Sequence, residues 1–159
     1  FKDNIMNYII LDFDGVINVL HDGILNDWET YHTYKLPYCN VKISDNIIEW
    51  LNSLGQQENV TVLWLSSWLD DTVFFNILGI PIFHYISDSD CIFFESWKTE
   101  YLDSFISTST KGNDKIIWIE DEEDMSFINN KYSNVYCFKT DSNRGITADI
   151  VNQVNDIIE

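Results

Sequence analysis

The sequence predicts an α/β fold: a three-layer, Rossmann-like, mainly parallel sheet with helices on both faces and no large cap. Four short apolar runs are continuous rather than alternating, the pattern of strands covered on both sides. Segments with apolar residues at helical spacing lie between them, and strand followed by helix, repeated, builds an open doubly wound sheet. The chain has 159 residues, 45% hydrophobic and 15% aromatic, which suits one domain with a sizeable core and excludes a disordered chain.

The elements follow in order. Residues 7–13 read as the first buried strand, ending in acid. Ser44 is the expected N-cap of a helix whose stripe is Ile47, Ile48, Leu51 and Leu54, stopped by Gly55. Residues 60–65 form the second strand, running into Ser66 and Ser67. A shorter helix over 70–78 is closed by Gly79 and Pro81, and residues 82–94 read as either a strand or an irregular crossing. Trp97, Tyr101, Leu102, Phe105 and Ile106 mark the next helix. Residues 115–119 are the third strand, ending in Glu120 and Asp121, and residues 134–138 the fourth. Thr147 is the expected cap of a last helix that packs Ile150, Val151, Val154, Ile157 and Ile158 inward. Residues 16–43 stay open between a hairpin and a loop, read as a flap near the site within one domain over 1–159. With 6 Gly and 2 Pro there is no material for a linker.

Nine basic against 26 acidic side chains give a formal charge of −17. That field repels a phosphate backbone at long range and argues against nucleic-acid coating. An anionic substrate would need local cations. Cys39, Cys91 and Cys137 are far apart and lack ligand spacing, so each is expected to be a reduced, small core hydrophobe. No apolar run approaches the roughly 20 residues of a membrane span. The first residues do not read as a signal peptide, so the expected setting is soluble and cytoplasmic.

Three strands end in groups suited to phosphate chemistry: Asp12 and Asp14, then Ser66 and Ser67, then Glu120 and Asp121. Lys98 opens the helix before the third strand. In such sheets, ligands sit beyond the carboxyl ends of the strands, so these groups should converge. Two carboxylates about 4 Å apart repel by about 4 kcal/mol at an effective dielectric near 20, so Asp12, Asp14 and Asp121 require a cation between them. Oxygen ligands without His or Cys point to Mg²⁺ rather than Zn²⁺.

Residues 11–16, Leu-Asp-Phe-Asp-Gly-Val, resemble the first motif, DxDG[TV], of the haloacid dehalogenase (HAD) superfamily of phosphohydrolases. Ser66 after an apolar strand is similar to the second motif, Lys98 to the third, and Glu120-Asp121 after Ile-Ile-Trp-Ile to the acidic fourth. The ordered set spans most of the chain and looks like a small capless branch, with a HAD-like fold.

The resemblance implies a Mg²⁺-dependent phosphatase working on a phosphorylated small molecule or polymer end, with a nucleotide or nucleic-acid terminal phosphate preferred. Asp12 would be the nucleophile that forms an aspartyl-phosphate, and Asp14 the acid and then the base. The Asp12 carboxylate, the Asp14 backbone carbonyl and the Asp121 side chain would hold Mg²⁺. Ser66 would bind phosphoryl oxygens, with Ser67 adding a contact, and Lys98 would neutralise the transferring group. Glu120 stands where the family pattern has Asp or Gly, which leaves the metal ligand open between Glu120 and Asp121.

Other residues take plainer readings. Glu122, Glu123 and Asp124 suit a solvated first helical turn, as do Asp70 and Asp71. Trp64 and Trp118 suit the core. Trp28, Tyr31, Tyr34 and Trp68 are candidates for stacking on an aromatic substrate, and His21, His32 and His84 have no partner spacing. The alternative from another class is a catalytically silent acidic module that mimics nucleic acid.

Overall fold

Asn7–Leu11 forms strand β1, the central strand of the sheet. The computed structural model describes residues 4–20, 28, 30–37, 39–66, 72–86 and 97–158. After β1 come strands β2 (Tyr31–Lys35) and β3 (Asn40–Ser44), helix α1 (Asp45–Gly55) and strand β4 (Val60–Trp64). Helix α2 (Thr72–Leu78), strand β5 (His84–Tyr85), helix α3 (Trp97–Ser109) and strand β6 (Lys115–Glu120) follow. Helix α4 (Ser126–Lys131), strand β7 (Val135–Lys139) and helix α5 (Ala148–Ile158) complete the order. The five-stranded sheet runs β5-β4-β1-β6-β7, with every pairing parallel.

Strand alternation sends apolar side chains to both faces. Ile9, Leu11, Val62, Trp64, Ile117 and Ile119 pack in one cluster with α1 and α5. Ile10, Leu63, Ile116 and Trp118 pack in a second with Leu102 and Ile106 of α3 and Ile128 of α4. Each such side chain contributes about 1.5–3 kcal/mol on burial, which is why the strands read as unbroken apolar runs. The sequence-predicted caps form. Ser44 Oγ accepts the Asn46 N–H at 3.1 Å, and Thr147 Oγ1 accepts the Ile150 N–H at 3.2 Å.

Several local readings are corrected. The first strand stops at Leu11, because the Phe13 carbonyl takes the amides of Ile17 and Asn18, both at 2.9 Å, and turns the chain. Residues 31–44 form an antiparallel hairpin, β2 with β3. Val41 and Ile43 point into the core, while Thr33, Asn40 and Lys42 share the other face by register. The Val19 amide donates to the Lys42 carbonyl at 2.9 Å and staples the hairpin to the segment after β1. Residues 21–27, 29 and 38 of the flap lie outside the described residues.

Glu122 and Asp124 are exposed in a bend before α4, not in its first turn, because Asp124 Oδ1 captures the Ser126 amide at 2.9 Å. Of residues 82–94, only the two-residue β5 is a strand, and 87–94 lie outside the described residues, as do Asp70, Asp71, His21 and Trp68. Cys39 is exposed rather than in the core, since it closes the hairpin turn and its carbonyl accepts the Leu36 amide at 2.8 Å. Cys137 is half-buried, and burial pushes its thiol up. Cys91 lies outside the described residues. Among the described residues, no helix is long and apolar enough to cross a membrane.

Candidate metal centre

From β1 the chain steps to β4 and β5 on one side and later to β6 and β7 on the other, so the order reverses between β1 and β6. Parallel sheets part their loops at such a point and leave a crevice beyond the strand ends. Asp12 follows β1 there, and Glu120 and Asp121 stand at the end of β6. One carboxylate oxygen from each of these three residues lies within 4.8 Å of the others, and all three residues are buried. This cluster can hold a metal ion. The Asp14 carboxylate stands outside the group, so Glu120 takes the place expected for it among the converging acids.

Each acid is held by local backbone. Asp12 Oδ1 accepts the Phe13 N–H at 2.8 Å, and the Asp12 amide donates to the Ile119 carbonyl at 3.3 Å. Glu120 Oε1 accepts the Asp121 N–H at 3.2 Å. Asp121 Oδ2 accepts the Ser142 hydroxyl at 2.8 Å. Gly15, at φ +77°, makes room for Asp121; a β-carbon there would stand 2.0 Å from Oδ2. Thr140 Oγ donates to the Gly15 carbonyl at 2.8 Å, and the Thr140 amide donates to the Glu120 carbonyl at 2.9 Å. These bonds tie the loop after β1 to the ends of β6 and β7.

Lys98 is buried in the first turn of α3 and bridges two acids. Its Nζ lies 3.0 Å from Asp12 Oδ2 and 3.0 Å from Glu120 Oε2. Burial alone would lower its pKa, but Asp12 and Glu120 outweigh that and raise it. Glu120 is pushed up to about 9, first by burial and then by the charge and hydrogen bonding of Asp12, with Lys98 opposing. With Glu120 holding its proton, one ammonium faces the buried Asp12 and Asp121 carboxylates. An all-oxygen donor set with surplus negative charge is suited to a hard cation.

Asp14 is half-buried, and Asn18 Nδ2 donates to its Oδ1 at 2.9 Å. Ser66 is half-buried just beyond β4, the strand beside β1, and Ser67 lies outside the described residues. Two other lysines lie at the opposite end of β6: Lys115 Nζ donates to the Ile157 carbonyl at 2.7 Å, and the Lys111 backbone amide donates to Asp114 Oδ2 at 2.8 Å in the turn before β6.

Sequence reasoning missed Ser142 and Asn18, which hold Asp121 and Asp14. No spacing rule points to either. It also read Glu123 as solvated. Glu123 is half-buried, and burial raises its pKa, Lys98 opposing and Asp12 and Asp124 adding, so it feels the site. Of the candidate stacking aromatics, Trp28, Tyr31 and Tyr34 are described, and each has contacts within the protein. Trp28 Nε1 donates to the Ile146 carbonyl at 2.9 Å, Trp28 and Tyr34 pack against the core, and the Lys42 ammonium lies 5.3 Å from the Tyr31 ring centre. His32 has a partner after all, Asp45 at 2.9 Å, on the exposed surface.

No family model, curated protein or solved structure matches this chain.

Proposed function

We propose that this chain is a Mg²⁺-dependent phosphomonoesterase that works through an aspartyl-phosphate on Asp12. The observation that carries the reading is the Asp12 carboxylate, 3.0 Å from the Lys98 ammonium and grouped with Asp121 and Glu120 at the sheet's switch point. The fit to a cation rests on the oxygen-only donors and on the cradle at Gly15, where only a residue without a β-carbon leaves space for Asp121. Asp12 and Asp121 are assigned to hold the ion. Glu120, whose Oε2 accepts the Lys98 ammonium at 3.0 Å, is assigned to position Lys98. When bound, Mg²⁺ supplies charge neutralisation for the phosphoryl oxygens.

The protein's own residues account for the rest. An Asp12 carboxylate oxygen attacks phosphorus, the bond from phosphorus to the leaving oxygen breaks, and Asp14 gives its proton to the departing alkoxide. Asp14, now ionised, takes a proton from water, whose oxygen attacks the same phosphorus. The P–O bond to Asp12 breaks, and Asp12 and phosphate are restored. Asn18 holds Asp14 in place through the 2.9 Å bond. Ser66 hydrogen-bonds the phosphoryl oxygens, and Lys98 offsets the negative charge that accumulates on them.

Hydrolysis of phenyl phosphate, with and without chelator, tests the reading. Asp12→Asn should abolish turnover, and Asp14→Asn should slow it and accumulate acid-stable phosphoprotein. Full activity in Asp12→Asn would end the nucleophile assignment. A nucleotide or nucleic-acid end remains the preferred leaving side by resemblance, though Trp28 and Tyr34 are spent on packing. The silent acidic module rests on net charge alone and is excluded by chelator-sensitive turnover.

A further inference from the structure

A cavity of about 330 Å³ lies between the segment after β1 and the hairpin, with Asn18, the hydrogen-bond partner of Asp14, in its lining. Asn18 joins Asp14 to the cavity. Its Nδ2 donates to Asp14 Oδ1 at 2.9 Å, its Oδ1 accepts the Lys42 amide at 2.8 Å, and its side chain lines the cavity. Thr33, Asn40 and Lys42 bring a hydroxyl, an amide and an ammonium to the opposite wall, with Val19 adding aliphatic surface. Register puts those three polar residues on one hairpin face, and Val41, from the other face, also lines the cavity.

We infer that this cavity is the leaving-group pocket, and that it takes the hydroxyl-bearing ring of a sugar-borne phosphate. The inference deepens the phosphatase reading and rests on it: a leaving oxygen protonated by Asp14 emerges next to Asn18, at the cavity's edge. Amide and hydroxyl side chains both donate and accept, which matches ring hydroxyls at several positions. No aromatic side chain is among the described residues that line the cavity. Its volume falls at the small end of ligand clefts, roughly 300–1,000 Å³, and suits a pentose or hexose. A free sugar phosphate and a nucleotide present the same ring chemistry.

The test separates the pocket from the reaction. Isotope-labelled Asp12→Asn protein with Mg²⁺ is titrated with ribose 5-phosphate, adenosine 5′-monophosphate and phenyl phosphate, and the backbone amides of Thr33, Asn40 and Lys42 are followed. Shifts with both sugar esters, and not with phenyl phosphate, are expected. Shifts with the nucleotide alone would show that the base and not the sugar ring is recognised, and would overturn the inference. Silence with both sugar esters, or equal shifts with phenyl phosphate, overturns it. In parallel, Thr33→Val with Asn40→Ala should lower the ratio of kcat/KM for ribose 5-phosphate over phenyl phosphate about tenfold, the usual worth of lost neutral hydrogen bonds. An unchanged ratio overturns the pocket. If wild-type protein hydrolyses none of the esters, the phosphatase reading fails, while the amide shifts still decide whether the cavity binds sugar.

Discussion

Gly15 and Asp121 fit together only because glycine has no side chain: a β-carbon on Gly15 would lie 2.0 Å from Asp121 Oδ2 and 2.6 Å from its Cγ. The contact joins the turn after β1 to the residue after β6, and it places the Asp121 carboxylate directly over the loop that carries Asp12 and Asp14. Gly15→Ala should therefore displace Asp121 and weaken Mg²⁺ binding at least tenfold. The left-handed backbone adds a stability loss of about 1–2 kcal/mol. Calorimetric titration with Mg²⁺ and thermal melts measure the two effects separately; unaltered affinity would show that Asp121 does not bind the ion.

Glu120 supplies a prediction in pH. Its pKa of about 9 in the folded protein, against an ordinary 4.5, means that the folded state holds a proton there that the unfolded chain has lost. The stability it confers is full below pH 4.5 and falls as pH rises toward 9, by about 1.4 kcal/mol per pH unit. Glu120→Gln cannot titrate. In chelator it should flatten that decline and melt higher than wild type at pH 8, with no advantage at pH 4.5. Parallel curves for the two proteins would mean that the carboxyl is ionised throughout.

Lys98 is the cation that lets Asp12 and Glu120 stay buried. Lys98→Met should cost about 3–5 kcal/mol, the range for leaving buried charges without their partner. Adding Asp12→Asn, which removes the carboxylate left unpaired, should restore part of that loss. Chemical denaturation of the two single variants and the double variant gives the coupling, and strict additivity would contradict the bridge.

Ser142 acts on the ion only through Asp121, to which its hydroxyl donates at 2.8 Å. Ser142→Ala should weaken Mg²⁺ binding about 10–100-fold, the usual cost of removing a group that orients a ligand. Ser142→Thr keeps the donor and should recover most of the affinity. Equal losses in both variants would mean that the loop's packing matters rather than the hydroxyl.

Much of the scaffold was legible because fully covered strands leave a plain trace. β1, β4, β6 and β7 are apolar along most of their length, and the acids stand where that apolarity breaks. Lys98 was legible by its place in the chain, and its spacing from Leu102 and Ile106 puts it on the buried stripe of α3. A lysine there needs an acidic partner. Which acid it meets depends on how β6 lies against β1, a long-range pairing that no local pattern carries. The hairpin was harder, since β2 is mostly exposed and its Tyr-His-Thr-Tyr-Lys run shows little contrast between faces. β3 does alternate, with Val41 and Ile43 between polar neighbours. Ser142 and Asn18 stayed hidden because a single hydroxyl or amide in a polar turn has no signature until the turn is folded.

The central place of β1 bears on how the protein is made. Its two neighbours come from distant parts of the chain, and β6 is translated long after β1 and β4 have emerged. Until then one flank of β1 is an open edge with unpaired amides and carbonyls, beside an acidic turn that still lacks Glu120 and Asp121. Synthesis therefore passes through a stage in which sticky backbone is exposed and the ion-binding group is incomplete. Slowing elongation before β6 should increase aggregation of the nascent protein.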